Sequence, residues 1–324
     1  MIEIMKPGIQ ATIQDMGRVR FRKFGVGFSG AMDPFALAVG NHLVGNDPDA
    51  GAIEVTLGGI EIRFHSDTAI ALAGASPMAR IDDEPLPAWW VKPVHAGQVF
   101  KAGMLPRGMR FYLAFAGGVD VPRIMGSRST DVKGGFGGLE GRVLGGGDRL
   151  ALGQAPASVV PRGFGLSPYA IPALGSYIEK LPTIRFLPAA EWGDLDRTSR
   201  KLLLETAWTV EPESNRMGYR LSGPRLELRK RLEMLSHGIM PGTIQLPPSG
   251  LPIIQLNDAN TCGGYPKLGV VIAADMHRIG QASLRSSIRF VPVERSEALG
   301  AARELDSLLT SISSICRMKR NQYA

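Results

Sequence analysis

A polar turn between two apolar segments holds the residue types best suited to chemistry in this chain. The β-rich segments 251–256 and 268–274 flank the turn at 257–267, and ligand-binding residues tend to lie on loops held by such a frame. The glycines at 263–264 permit positive φ and close approach of a ligand to main-chain N–H groups. Asp258 and Tyr265 supply an acid and a phenol. The alternative is a long Gly-Pro hairpin turn without chemistry.

Two earlier loops are also candidates for binding an anion. Residues 25–30, GVGFSG, match the GxGxxG pattern, but the preceding segment is basic and its surroundings are not βαβ, which disfavours a dinucleotide site. These glycines could instead form an anion-binding nest beside Arg18 and Ser29. In the loop at 127–131, Arg128 offers a planar donor fork for a carboxylate or phosphate, or pairs with Asp131 in an exposed hairpin.

Two further segments leave a functional and a structural reading open. Asn215 and Arg216 lie beside a glycine and could bind a carboxylate or amide, while Tyr219 is either a pocket residue or a core residue. Asp33 precedes Pro34, which is typical of a helix start, so its carboxylate is either a helix cap or an acid–base group.

Several familiar site patterns do not occur in the sequence. There is no GxxxxGK[ST] phosphate loop and no GxSxG nucleophile motif, and the five histidines lack metal-ligand spacing. No lysine lies in a biotin-carrier setting. We therefore expect no metal site, and any biotin would come from another chain.

Composition narrows the class of protein. The 324 residues have a formal net charge of +7, but the basic residues are spread along the chain without a nucleic-acid motif, so no nucleic-acid partner is expected. Two cysteines fit a reducing compartment. With no signal-peptide pattern and no apolar run approaching the ~18 residues of a membrane span, we expect a cytoplasmic protein that does not enter a membrane.

The elements that must position these loops are mostly short strands. Segments between 53 and 152 are each bounded by Gly, Pro or Asp, which favours a barrel or sandwich over a parallel α/β sheet. Helices are predicted from Asp33 to Gly45 and at about 193–206. A third, amphipathic helix is predicted at about 296–316, capped by Ser296 and followed by a frayed end. A Pro-, Gly-, Ala- and Ser-rich linker at 153–183 and a faint internal repeat favour two β domains.

Four segments in register resemble the biotin-dependent carboxyltransferase family. They are QDMGRVR…GVGFSGAMDPFAL, GSRSTDV…GGLEGRVLGGGDRL, ESNRMGYRLSGP and GTIQLPPSGLPII…NDANTCGGYPKLGVVIAADM. The resemblance covers about residues 2–293 and implies a mainly β fold of two tandem cyclophilin-like β barrels with a C-terminal amphipathic helix. The corresponding domains are 1–165, 166–295 and a helical tail at 296–324.

The resemblance also implies an activity and partners. Members include the C-type subunits of 5-oxoprolinase, which implies ATP-dependent opening of 5-oxoproline to glutamate together with two partner subunits, one of the B type and one of the A type. ATP would bind with or on a partner subunit. The alternatives are a regulatory antagonist that binds a kinase-inhibitor-like partner, or a carboxyltransferase that moves CO₂ from carboxybiotin on another chain to urea or a related amide.

Site residues implied by the resemblance are assigned by position. The proposed catalytic residues are Asp258, Asp33 and Tyr265. The proposed substrate-binding residues are Arg18, Ser29, Gly30, Ser127, Arg128, Asn215, Arg216, Tyr219, Thr261, Gly263 and Gly264, with Gln14 and Asp15 beside them. The chain departs from the family at Asn260–Cys262 and at Leu284–Ser287, which leaves the pocket's acids and arginines in place. The expectation is that loops from both barrels share one cleft.

Overall fold

The computed structural model describes residues 1–155, 162–171, 174, 181–230 and 232–323. The chain divides into two compact units. The first comprises Met1–Arg18, Ser29–Ile178 and Ser307–Ala324, and the second comprises Val19–Phe28 and Glu179–Asp306. Both are discontinuous in sequence, whereas the predicted domains were continuous. Much of the predicted linker, at 156–161, 172–173 and 175–180, lies outside the described residues.

The first unit consists of two six-stranded sheets. Its strands are β1 Ile2–Pro7, β2 Gln10–Gln14, β3 Ala52–Thr56, β4 Ile60–Phe64, β5 Thr68–Gly74, β6 Ala79–Ile81, β7 Glu84–Pro85, β8 Trp90–Val94, β9 Val99–Ala102, β10 Arg110–Phe115, β11 Arg149–Leu150 and β12 Phe164–Gly165. One sheet has the order β11-β1-β4-β9-β6-β7 and the other β12-β8-β5-β10-β3-β2. Apolar side chains of both sheets form one buried core, so the short strands predicted between 53 and 152 are confirmed.

Helix α1, Pro34–Val44, covers part of the second sheet through its almost fully buried apolar residues. The Asp33 carboxylate accepts a hydrogen bond from the Ala36 amide, and Pro34 occupies the first turn, where its missing N–H costs nothing. Gly45 ends the helix in the left-handed conformation at φ 89°. The predicted start and end of this helix are therefore confirmed.

The second unit contains a closed seven-stranded barrel and a separate two-stranded ladder. Its strands are β13 Thr183–Pro188, β14 Trp208–Val210, β15 Gly218–Ser222, β16 His237–Gly238, β17 Thr243–Gln245, β18 Ile253–Gln255, β19 Cys262–Gly263, β20 Lys267–Val271 and β21 Ser287–Pro292. The barrel order is β13-β20-β17-β18-β15-β14-β21, and β16 pairs with β19. Strands alternate inward and outward residues, so Tyr219, Ile244 and Ile254 fill the interior.

Within the residues that the structure describes, three helices accompany these strands. Helix α2, Arg197–Glu205, is preceded by a 3₁₀ turn and capped by Asp196, and the short α3 spans Met276–Gln281. Helix α4 spans Arg295–Tyr323. Ala301 and Leu305 belong to an apolar cluster of the second unit, and Arg320 donates to the His42 carbonyl in the first unit.

The mainly β fold with a C-terminal amphipathic helix is confirmed, and the helix starts within one residue of its predicted position, but the predicted cap and the predicted end are wrong. Helix α4 begins before Ser296, where the Glu294 carbonyl accepts from the Ala298 amide, so Ser296 lies within the first turn. The residues expected to fray continue the helix to Tyr323. Arg320 lies in this extension, and its guanidinium bonds the carbonyls of the last turn of α1, which lack partners within the helix.

Candidate functional site

In the first unit, Asp15 ties the 127–131 loop to the end of β2. Its carboxylate accepts from the Ser127 and Ser129 hydroxyls at 2.6 Å each and from the Gly17 amide at 2.8 Å. The Arg128 amide donates to the same carboxylate. All of these side-chain bonds are buried or partly buried, so Ser127 and Asp15 shape the loop itself.

Arg18 lies beneath the same loop. Its Nε donates to the Ile124 carbonyl at 3.1 Å, its Nη2 donates to the Ser129 carbonyl, and the guanidinium stacks 4.8 Å from the centre of the Phe136 ring. The side chain is almost completely buried. Arg18 therefore supports the loop, and this geometry does not support direct substrate contact.

Arg128 instead lines a cavity of about 300 Å³ in the first unit, together with Arg123. Its Nη2 lies 3.6 Å from Asp120, whereas Asp131 accepts from the Gly134 amide within its own turn. The predicted alternative pairing of Arg128 with Asp131 is therefore wrong.

The predicted residues around α1 are structural in their contacts. Asp33 caps the helix, and its amide donates to the Tyr112 hydroxyl, which donates to Glu54 at 2.6 Å. Burial raises the pKa of Tyr112 well above its usual range, and the neighbouring Glu54 carboxylate adds to this. A Cβ on Gly30 would lie 2.9 Å from the Gly17 Cα, so this glycine permits close packing. Ser29 is fully buried beside it.

In the second unit, Arg216 and Asp258 form a buried bidentate ion pair. Nε and Nη2 of Arg216 lie 2.8 and 3.0 Å from the two Asp258 oxygens, and the residues are 4% and 9% exposed. The Asp258 amide also donates to the Arg216 carbonyl. Because the carboxylate faces a guanidinium in a buried setting, Asp258 serves as an ion-pair partner here and is poorly placed as a free base.

A cavity of about 620 Å³ lies against the outer face of β15, β17 and β18. Strand β19 and Ile239, which follows β16, form another part of its wall. It is lined by Glu213, Asn215, Met217, Gly218, Arg220, Ile239, Gln245, Ile253, Gln255, Asn260, Cys262, Gly263, Gly264 and Tyr265. Four of these side chains are amides, which can donate to a carbonyl oxygen and accept from an N–H group at once. An amide or urea-type ligand therefore matches the chemistry of this wall.

Two contacts fix the polar wall. Gln255 donates through Nε2 to Gln245 Oε1 at 2.8 Å, and Arg22 donates through Nη2 to the Ile239 carbonyl. Burial lowers the pKa of Arg22, and nearby Cys262 opposes that shift. Arg22 therefore contacts one lining residue and lies close to another.

Gly263 and Gly264 are needed for space. Neither has a positive φ, so the conformational reason predicted for this pair is wrong. A Cβ on Gly263 would lie 2.9 Å from Gln245 Nε2, and one on Gly264 would lie 3.0 Å from the Met234 carbonyl oxygen. The absence of a side chain at both positions therefore lets the main chain approach Gln245 and Met234 without displacing them.

Tyr265 lies between two cavities of the second unit. It is 45% exposed and lines both the 620 Å³ cavity and a second cavity of about 500 Å³, whose wall includes Leu226, Leu246 and Pro247. Its phenol is therefore accessible, as a residue that contacts a ligand must be.

The structure brings together some of the predicted site residues. Asn215, Gly263, Gly264 and Tyr265 line the 620 Å³ cavity. Tyr219 is fully buried in the barrel, on the opposite strand face from Gly218 and Arg220, so its geometry supports the core reading. Thr261 contributes its carbonyl to the Ile239 amide.

Sequence reasoning missed Gln245, Gln255, Glu213 and Arg220 as lining residues. Their signal is the alternation of strand residues, which places Gln245 and Gln255 on the outer face next to the inward Ile244 and Ile254. The common cleft between loops of both domains stays a prediction.

No helix among the described residues is long and apolar enough to cross a membrane. Within those same residues, no group of three or more His, Cys, Asp or Glu side chains is arranged to hold a metal ion.

Comparison with known proteins shows one family across most of the chain. A family model described as carboxyltransferase domain, subdomain A and B, matches residues 24–292. The chain is 42% identical over 307 residues to the 5-oxoprolinase C subunit of Escherichia coli (strain K12), which covers 94% of this chain and 95% of that protein. It is 41% identical over 315 residues to the 5-oxoprolinase C subunit of Haemophilus influenzae, with 97% and 98% covered.

A solved structure resembles nearly the whole chain. Urea amidolyase of K. lactis aligns with a TM-score of 0.88 and 28% identity over 96% of this chain. The match covers 20% of that much longer protein. This chain therefore corresponds to about a fifth of the length of that structural relative.

Proposed function

Because the chain belongs to the family of carboxyltransferase domains with subdomains A and B, we propose that it is the C-type subunit of an ATP-dependent 5-oxoprolinase. The observation that carries this proposal is the near full-length similarity to two proteins named as the C subunit of 5-oxoprolinase. In this proposal the chain acts with two partner subunits, one of the B type and one of the A type. ATP binds with or on a partner subunit, since the sequence has no phosphate-loop motif.

The amide-rich cavity of the second unit supports a lactam substrate. Opening 5-oxoproline breaks the ring C–N bond, adds water across it and yields the amine and second carboxylate of glutamate. Attack on the lactam carbonyl places negative charge on its oxygen, and one well-placed donor at such an oxygen is typically worth about 3 kcal/mol. In the proposed site the amide side chains hold the lactam C(=O)–N–H group. Arg220 on the same wall pairs with the substrate carboxylate.

Tyr265 is the predicted catalytic residue that keeps this role in the proposal. Its phenol lines the cavity and is partly exposed, whereas Asp258 pairs with Arg216 and Asp33 caps a helix. Tyr265 donates a hydrogen bond to the developing oxyanion. Glu213 is an acidic side chain in the same wall and accepts from the lactam N–H or from the attacking water.

The test is reconstitution of the complex from this chain and its B-type and A-type partner subunits. Glutamate release from 5-oxoproline is expected to require ATP and all three chains. Tyr265→Phe should lower kcat at least 10-fold, whereas the matched control Tyr169→Phe, at a residue that is almost fully exposed in the first unit, should leave it unchanged. Release without this chain would refute the proposal, and a tight complex without turnover would favour the regulatory antagonist.

The likeness to urea amidolyase favours one alternative function. Urea, as the substrate of a carboxyltransferase, would bring the same amide group to the cavity. The structural match covers nearly all of this chain. Biotin would then be supplied by another chain, because no carrier lysine motif occurs here. Dependence of turnover on a biotinylated carrier, and its loss on adding avidin, would select this alternative.

A further inference from the structure

Gln245 lies on the outer face of the barrel but is shielded from water. Its neighbour Ile244 points into the interior, so strand alternation places Gln245 outside, against the 620 Å³ cavity that it helps to line. An amide on an outer strand face is usually solvated, yet Gln245 is only 2% exposed. The ladder residue Gly263 lies directly against its amide group.

A single hydrogen bond fixes the orientation of this amide. Gln255, on the adjacent strand β18, donates through Nε2 to Gln245 Oε1 at 2.8 Å. The oxygen of Gln245 is therefore engaged, and its Nε2 points elsewhere with two N–H donors. That nitrogen is buried and has no hydrogen-bond partner among the described residues.

A buried donor without an acceptor is unfavourable, and the great majority of buried polar atoms in proteins are bonded. Here a partner is not provided by the described residues of the second unit, although the amide is held in one orientation. A buried donor that lacks an acceptor but is held in one orientation is expected where a ligand supplies the acceptor. The amide is then already oriented before the ligand binds.

The glycine beside the amide keeps that position accessible to a small group. Gly263 has no positive φ, so its backbone conformation does not require glycine. A Cβ at this position would lie 2.9 Å from Gln245 Nε2 and press directly on the donor. The absence of a side chain at 263 therefore leaves room at the nitrogen, in the wall of a cavity that Gly263 also lines.

We propose that Gln245 Nε2 donates to the carbonyl oxygen of a small amide substrate and that Gln255 positions it for this bond. The inference rests on the proposed function and deepens it by naming the group that recognises the lactam carbonyl. A neutral donor suits a neutral amide oxygen, and the neighbouring amides Asn215 and Asn260 can accept from the ligand N–H.

Two variants separate recognition from structural support. Gln245→Met removes the donor and keeps the length of the side chain. Gln245→Glu keeps an oxygen for Gln255 but turns another oxygen towards the ligand carbonyl. The matched control is Gln281→Met, a buried amide of the same unit that does not line the cavity.

Binding of 5-oxoproline, urea and 2-pyrrolidone would be measured by titration calorimetry on the full chain and on its complex with the partner subunits. Loss of one neutral hydrogen bond corresponds to about 10-fold weaker binding, so Gln245→Met should raise Kd and KM about 10-fold. Gln245→Glu should raise both further, and Gln281→Met should leave both unchanged. Gln245→Met also removes the oxygen that accepts from Gln255, so its melting temperature should fall by no more than that one hydrogen bond contributes, since the nitrogen has no partner to lose.

The outcomes distinguish this inference from the proposed function. An unchanged Kd in Gln245→Met, whatever its melting temperature, or no binding of any of the three amides would overturn the inference. Turnover of 5-oxoproline with an unchanged KM in Gln245→Met would overturn it while the proposed function stands. Binding of urea but not 5-oxoproline, weakened by Gln245→Met, would support the inference and overturn the proposed function.

Discussion

Replacement of Asp258 by asparagine tests whether this carboxylate is an ion-pair partner or a catalytic base. The substitution keeps the size of the side chain but removes its charge and turns an NH₂ group towards one nitrogen of Arg216. The guanidinium, 4% exposed, would then lie buried without its bidentate partner. Breaking a buried ion pair from one side typically costs 3–5 kcal/mol, and since asparagine retains one acceptor we expect about 3 kcal/mol.

Urea denaturation of the chain measures that loss, and a double variant identifies its origin. Replacing both partners, with Arg216→Met and Asp258→Leu, leaves no uncompensated charge and should recover most of the stability, since apolar replacement of a buried pair is often neutral. The interaction energy then follows from the double variant and the matching single variants Arg216→Met and Asp258→Leu. Glutamate release by the reconstituted complex is measured on the same proteins.

The two roles of Asp258 predict different activities. If the carboxylate only pairs with Arg216, activity follows the folded fraction and returns in the double variant. A base would instead give a stable double variant with kcat reduced by orders of magnitude. An Asp258→Asn protein whose unfolding free energy stays within about 0.5 kcal/mol of wild type, the range typical of a surface substitution, would refute the structural reasoning.

Three other measurements test the remaining parts of the structure. Asp15→Ala removes a carboxylate that accepts hydrogen bonds from several donors of the loop. In urea denaturation it should lower the free energy of unfolding by about 3 kcal/mol, whereas Ser127→Ala, which removes one of these donors, should lower it by about 1 kcal/mol. Equal losses would contradict the shared role. Burial lowers the pKa of His277 from 6.5 to about 4, so as the pH falls the unfolded chain binds this proton before the folded chain does. The free energy of unfolding should therefore be highest above pH 6.5 and fall by up to about 3 kcal/mol towards pH 4. A His277→Gln protein with the same pH profile would rule this out. Mass spectrometry after iodoacetamide treatment should find Cys262 modified and Cys316 intact. Cys262 is exposed, whereas burial raises the pKa of the Cys316 thiol to about 12. Early labelling of Cys316 would disprove its burial.

Elements with local signals were predictable from the sequence. Asp33, Pro34 and Gly45 define both ends of α1 through contacts within a few residues, so their types are sufficient. The limits of α4 depend on distant contacts. Arg320 bonds carbonyls at the end of α1, more than 270 positions earlier in the sequence, and no local pattern reveals such a bond.

The residue types of the candidate site were predictable from the sequence, but the contacts between these residues were not. The sequence identifies Asp258 and Arg216 as chemically capable groups, yet they are 42 positions apart and the fold joins them to each other. Similarly, Ser127 is a polar loop residue in the sequence, whereas its hydroxyl donates to Asp15 across 112 positions. Tyr265 differs because the turn that carries it is local and exposed, so its type and its accessibility agree.

The missed glutamines had a signal in the sequence that depends on strand register. If the strands on either side of the Pro-Pro-Ser-Gly turn pair as a hairpin with Ile244 opposite Ile254, then Gln245 and Gln255 fall on the same outer face, as they do in the folded chain. Two adjacent amides on a solvated face would have no special meaning. Their meaning comes from Gly263, because a residue without a side chain lets a third segment pack against Gln245, which is 2% exposed, while its partner Gln255 stays partly exposed. Strand register, combined with glycines that make space and do not only permit positive φ, is therefore the sequence signal that points to Gln245, the ligand donor that we propose.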